Sequence, residues 1–233
     1  KQWLIFPVWK VAAVDLPSEQ LEIHVPSGAE ATLNGQPLPE SWNRGVDESG
    51  GTRYQGQVWD AFYGLEASLT GFASYQDAVE AGDTVEISFQ QLAEDGRLEL
   101  LNRSGSYMEE VLTAASQGTT SETISEIAAN GADYDYSQDL ASLQAVFNPG
   151  DGSGIQGMVV SGLEGSVTVY QEGEGTLAQV NLNSQISFQL RSLTADPLTG
   201  AVTYSTQPVE EEMPATFTYQ YQDGQWKLME MYF

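Results

Sequence analysis

The run Leu98-Glu99-Leu100-Leu101-Asn102-Arg103-Ser104-Gly105-Ser106-Tyr107-Met108-Glu109-Glu110-Val111-Leu112-Thr113-Ala114-Ala115 decides the fold class. It holds no proline and a single glycine, Gly105, and it sets Leu101, Met108, Val111 and Leu112 at helical spacings. Ser106, followed three residues later by Glu109, has the capping-box form, so a helix from Ser106 to about Ser116 is expected. Working outward toward the C-terminus, Thr120 or Ser121 opens a second helix, since Ser121 precedes Ile124, Ile127 and Ala128 on one face, and Asn130-Gly131 closes it. Asp139 to Phe147 predicts a third, with Leu140, Leu143 and Phe147 facing inward, ended by Asn148-Pro149-Gly150.

On both sides of this helical block the apolar period is two. Downstream, Ser166 to Tyr170, Leu177 to Leu182, Gln185 to Leu190, Ala201 to Tyr204, Ala215 to Tyr221 and Trp226 to Tyr232 alternate as half-buried strands do, and the last two predict a hairpin about Asp223-Gly224. Upstream, Trp3 to Val11 reads as a strand, Leu21 to Val25 alternates, and Ala29 to Leu33 runs into Asn34-Gly35, a tight-turn dipeptide. The stretch from Pro39 to Gly56 is rich in Gly, Ser, Asp and Asn and reads as a long loop pinned by Trp42. Thr84 to Phe89 is a further strand. The chain therefore divides into a small all-β, sandwich-like domain over 1–97 and an α+β domain over 98–233, whose helices pack on a curved antiparallel sheet. Val8-Trp9-Lys10-Val11 is echoed by Gln225-Trp226-Lys227-Leu228.

Composition narrows the chemistry. The 233 residues include 8 Lys and Arg against 33 Asp and Glu, a formal net charge of -25. Such a field repels phosphate backbones and anionic lipid, which excludes nucleic acid as a partner and favours a basic one. There is no Cys and one His, so thiol nucleophiles, disulfides, iron–sulfur clusters and most zinc sites are removed, and no cofactor is implied. The apolar start Trp3 to Trp9 is broken by Pro7 and ends at Lys10, far short of the roughly 20 residues a bilayer-spanning helix needs.

Few constellations carry chemistry. His24 shares a strand with Ile23 and Val25 on its opposite face, and reads as a partly exposed residue; a role as base would need a carboxylate from elsewhere in the chain. Asp133, Asp135 and Asp139 alternate as the opening of a calcium loop does, a weak candidate, because Gln138 stands where glycine is needed and Gln144 where a closing glutamate belongs. Glu210-Glu211-Glu212 reads as an exposed loop whose charges discourage edge pairing. The glycine-rich runs 45–56 and 150–157 lack the lysine of a phosphate loop. Tyr134, Tyr136, Tyr170, Tyr204, Tyr219 and Tyr221, with Tyr232 beside them, form a candidate binding face on the sheet.

Val25-Pro26-Ser27-Gly28-Ala29-Glu30-Ala31-Thr32-Leu33-Asn34-Gly35 resembles the core signature of PEGA-like β modules. The second half, ending in Tyr219-Gln220-Tyr221-Gln222-Asp223-Gly224-Gln225-Trp226-Lys227-Leu228, is similar to NTF2-like, or cystatin-like, domains. In tandem the two resemble the extracytoplasmic region of TcaA-like envelope proteins of Gram-positive bacteria. That resemblance implies a non-catalytic binding or spacer module outside the cytoplasm, tethered to the membrane by a segment absent from this sequence. Its partner would be an envelope protein or a cell-wall component. The alternative it leaves open is a small-molecule binder or enzyme using the NTF2-like pocket.

Overall fold

The computed structural model describes residues 17–47, 50–172, 175–222 and 224–233. The expected strand at Trp3 to Val11, and with it the first half of the Trp-Lys echo, lies outside the described residues. The chain forms two compact units, one comprising the chain up to 68 together with 74–88, the other 69–73 together with 89–233. A β-rich region thus precedes an α+β region.

The first unit contains β1 (Ser18–Val25), β2 (Glu30–Leu33), β3 (Gln36–Pro37), β4 (Asn43–Val46), β5 (Thr52–Trp59), β6 (Phe62–Ser68), β7 (Tyr75–Glu80) and β8 (Thr84–Glu86). They make two four-stranded sheets, ordered β4-β5-β1-β8 and β3-β2-β6-β7. Alternation decides which face is buried: Leu21, Ile23, Val25 and Val58 from one sheet, and Leu65, Ala67 and Val79 from the other, are removed from water. The Asn34-Gly35 turn joins β2 to β3 with φ of 51° and 72°, the left-handed pair that a tight hairpin requires. Part of the stretch after Pro39, expected as loop, is instead regular structure. Glu40–Trp42 makes a single 3-10 turn and β4 pairs with β5. Trp42 pins it, as its indole lies directly on Gly56 and leaves no room there for a Cβ.

The second unit contains α1 (Glu94–Gln117), α2 (Glu122–Ala129), α3 (Ser137–Phe147), β9 (Gly154–Glu172), β10 (Gly175–Ala195), β11 (Val202–Gln222) and β12 (Gln225–Tyr232). The four strands form an antiparallel meander in the order β12-β11-β10-β9, against which the three helices pack. Leu100, Met108, Val111 and Leu112 of α1 and Ile127 of α2 meet Val180, Leu182, Phe217, Tyr219 and Leu228 in the buried core. The short crossing segment joins this unit because Phe72 packs against Phe89, Tyr221 and Trp226 at centroid distances of 5.7, 5.2 and 5.6 Å.

Several expectations are corrected. The helix does not start at Ser106: α1 begins at Glu94 after Ala93, and the Ser106 hydroxyl donates back to the Asn102 carbonyl at 3.1 Å in mid-helix. Gly96 and Gly105 both lie in the helix at close approaches. A Cβ at Gly96 would collide with the Gly71 backbone, and one at Gly105 would come within 2.5 Å of Leu163. Ser121 does cap α2, its hydroxyl accepting from the Ile124 N–H at 3.2 Å. The short strands expected after 150 fuse: β10 and β11 are each 21 residues long and pair without a break from Thr176↔Tyr221 to Ala195↔Val202. Glu210-Glu211-Glu212 is strand, not loop, inside β11. β12 pairs with β11 only from Thr216 onward, so among the described residues no strand lies on the outer edge of the stretch before it, where Pro208, Pro214 and the three glutamates fall.

Candidate functional site

In the first unit, β1 turns Leu21, Ile23 and Val25 inward and therefore Glu22 and His24 outward. The register Glu22↔Gln55 and His24↔Arg53 lays β5 side chains beside them, and His24↔Glu86 brings in β8. His24 Nε2 lies 2.9 Å from Glu22 Oε1, which also accepts from Arg53 Nε at 2.6 Å; Gln55 Nε2 donates to Glu22 Oε2 at 3.3 Å. His24 Nδ1 stands 3.6 Å from Asp47 Oδ2 and 3.7 Å from Glu86 Oε1. The Arg53 hydrogen bond, followed by that of His24, holds the Glu22 carboxyl down at about 2. The imidazole is thus ringed by three carboxylates, one from its own strand and two from other segments of the unit, on an outward sheet face with 23% of its side chain exposed. Among the described residues no group of three or more His, Asp or Glu is arranged to hold a metal ion.

In the second unit the polar groups are structural clasps. Arg103 of α1 donates to Tyr107 Oη at 2.9 Å, the Trp226 carbonyl at 2.8 Å and Glu126 Oε1 at 3.0 Å, tying α1 to β12 and α2. Tyr107 donates to the same Glu126 oxygen at 2.7 Å, and burial, then that bond, pushes its hydroxyl up to about 12. Ser104 and Tyr219 share a fully buried hydroxyl pair at 2.8 Å. Glu110 reaches from α1 to the start of α2, accepting from Ser121 Oγ, Glu122 N and Thr123 N at 2.6, 2.9 and 3.2 Å. The shallow open depression beside it is lined by Ser106, Glu109, Glu110, Thr113, Gln117 and Thr120.

The candidate tyrosines do not converge. Tyr219 and Tyr136 are core residues; the Tyr136 hydroxyl accepts from the Met231 N–H at 3.2 Å and burial pushes it up to about 12. Tyr134 sits edge-on to Tyr136 at 4.7 Å and donates to Asp139 Oδ1 at 3.3 Å. Tyr221 packs on Phe72 and Trp226. Tyr204 donates to the Asp151 carbonyl at 2.8 Å beneath the Arg191 guanidinium, and roughly 50 Å of strand separates it from Tyr219. Tyr170 and Tyr232 are partly exposed on β9 and β12. Of the acidic trio, Asp135 accepts from the Ser137 N–H at the start of α3, Asp139 from Tyr134, and Asp133 is an exposed loop residue.

Sequence reasoning missed the convergence on His24 and the Arg103 hub, because both depend on partners far away in the chain. The shared face of Glu22 and His24 was the one local sign. Compared with known protein families and with curated proteins, the chain matches none.

Proposed function

We propose that this chain is a non-catalytic binding or spacer module of a bacterial envelope protein, a PEGA-like β unit followed by an NTF2-like unit in the manner of TcaA-like proteins. The observation that carries the reading is the set of buried side chains between α1 and the sheet of the second unit. Between α1 and the sheet, where an NTF2-like domain would hold a ligand, stand Ser104, Met108, Ser184, Phe217 and Tyr219, all buried and in part bonded to one another. Recognition then falls to the outer surfaces. The carboxyls of Glu22, Glu94, Glu110, Asp135, Asp151 and Asp196 all lie below their ordinary values, the opposite of what a general acid working near neutrality requires. No helix among the described residues is long and apolar enough to cross a membrane. The proposed tether is a segment outside this sequence, and the proposed setting is extracytoplasmic. The charge of -25 makes a basic envelope partner the natural ligand.

The test is capture of purified cell-wall and envelope-protein fractions from a Gram-positive bacterium on immobilised protein at low and high salt. Capture that weakens with salt is expected. Turnover in a broad hydrolase screen that disappears in His24→Ala would refute the non-catalytic reading.

A further inference from the structure

The sequence holds two Asn-Gly pairs, Asn34-Gly35 and Asn130-Gly131, one in each unit. Asparagine is chemically labile because the backbone nitrogen of the next residue can close a five-membered ring on its side-chain carbonyl, and a following glycine, having no Cβ, hinders that approach least. The two pairs stand in different surroundings. Asn34 and Gly35 form the exposed tip of the β2–β3 hairpin, and the space over Gly35 is open, since a Cβ there would meet no atom within 4 Å.

Two hydrogen bonds fix Asn34 to β6, not to β3. Its N–H donates to the Gly64 carbonyl at 2.7 Å, and its Oδ1 accepts from the Gly64 N–H at 2.8 Å. The returning arm is held far less firmly. β3 is a two-residue edge strand, Gln36 and Pro37 are both exposed, they pair with Leu33 and Thr32, and the Leu38 N–H beyond them reaches the Ala31 carbonyl at a long 3.4 Å. Short exposed edges of this kind open at little free-energy cost. When this arm opens, the Gly35 nitrogen is free to turn onto Asn34 Cγ while the carboxamide stays on β6. The Gly64 N–H then polarises the carbonyl under attack and lies where the oxyanion develops.

Asn130 differs on each count. It is half-buried at the end of α2, its Nδ2 donates to the Leu228 carbonyl at 2.9 Å, and the Gly131 N–H donates to the Ala128 carbonyl at 3.2 Å. The bond here is made by the leaving nitrogen and not to the attacked oxygen. Freeing the Gly131 nitrogen also requires undoing a helix end beside the buried Ile127 and Leu228.

We infer that Asn34 is a site of spontaneous deamidation in the folded chain and that Asn130 is protected. The Gly35 nitrogen bonds to Asn34 Cγ and gives its proton to water; the Cγ–Nδ2 bond breaks and the nitrogen leaves as ammonia. Water then opens the cyclic imide at either carbonyl. One product is aspartate at position 34, which keeps an acceptor for the Gly64 N–H and adds a negative charge. The other is an isoaspartyl link, which adds a methylene to the backbone and removes the two-residue turn on which the Leu33↔Gln36 register depends. The first unit thus carries a slow, one-way mark of its age. This inference is independent of the binding reading above.

The test is peptide mapping by mass spectrometry of the whole chain, incubated in buffer and, in parallel, unfolded in guanidinium chloride. Deamidation adds about 1 Da to the peptide that contains the reacting asparagine. In the folded chain the Asn34 peptide should gain that mass at least about tenfold faster than the Asn130 peptide; in denaturant the two rates should agree within about twofold, because both pairs are then equally open. Asn34→Gln, whose ring closure needs six members, should slow the gain at that position by at least about tenfold and leave Asn130 unchanged. Equal rates at the two sites in the folded chain, or a faster gain at Asn130, would overturn the assignment. A preference for Asn34 that persists undiminished in denaturant would trace it to neighbouring sequence instead of the fold and overturn it as well.

Discussion

The buried hydroxyl pair between α1 and β11 offers a quantitative test of what holds the second unit together. Ser104 and Tyr219 are both inaccessible and bonded at 2.8 Å. Ser104→Ala strands the Tyr219 hydroxyl, and an unsatisfied buried hydroxyl costs about 1–3 kcal/mol, offset by about 0.5 kcal/mol for alanine's better helix propensity. Tyr219→Phe is milder, about 1 kcal/mol, because a helical serine can turn its hydroxyl to the carbonyl one turn back. The double variant should cost about 1 kcal/mol, which leaves a coupling energy of about 1–2 kcal/mol. All three helices lie in the second unit, so the helical circular-dichroism signal during urea unfolding reports that unit. With an m value near 2 kcal/mol/M, Ser104→Ala should lower the midpoint by roughly 1 M urea. Additive single effects would show that the hydroxyls do not depend on one another and would refute the reasoning.

Glu110→Gln removes the charge at the α2 N-terminus and places an amide donor against N–H groups, so about 1–2 kcal/mol of stability should be lost, allowing for partial solvent screening, as measured by the same urea titration. Glu22 has a folded-state carboxyl depressed from 4.5 to about 2 by Arg53 and then His24, so its contribution is fully present above its ordinary range and is lost as pH falls toward about 2. A carboxyl carbon titration by NMR should find that low midpoint in the wild type and a rise toward the ordinary value in Arg53→Met; an ordinary value in both would contradict the ion pair. Gly165→Ala should destabilise the second unit by about 2–4 kcal/mol, because the new methyl would meet the Asn181 carbonyl, with the Leu182 backbone close behind, and neither can swing aside. Calorimetry showing an unchanged second transition would count against that packing.

What was legible in the sequence is what a few neighbouring residues decide. The alternation of Leu21 to Val25 and of Leu177 to Leu182 places one face inward whatever pairs with it. Asn34-Gly35 turns because Asn and Gly tolerate positive φ, and Ser121 caps because its hydroxyl reaches its own helix. The acidic excess is a matter of counting. What only the tertiary structure decided depends on partners far away. Gly96 and Gly105 are needed because Gly71 and Leu163 press on them, which no local pattern shows. β10 and β11 continue through polar stretches because each satisfies the other's backbone along the ladder from Thr176↔Tyr221 to Ala195↔Val202. His24 acquires Arg53, Asp47 and Glu86 through strand register, and Trp59 is left bare because nothing described covers the turn it stands on. Local propensity is set by sterics within a turn or two of chain, whereas register, close approach and exposure depend on which distant segments pack together, and no short window of sequence contains both members of such a pair.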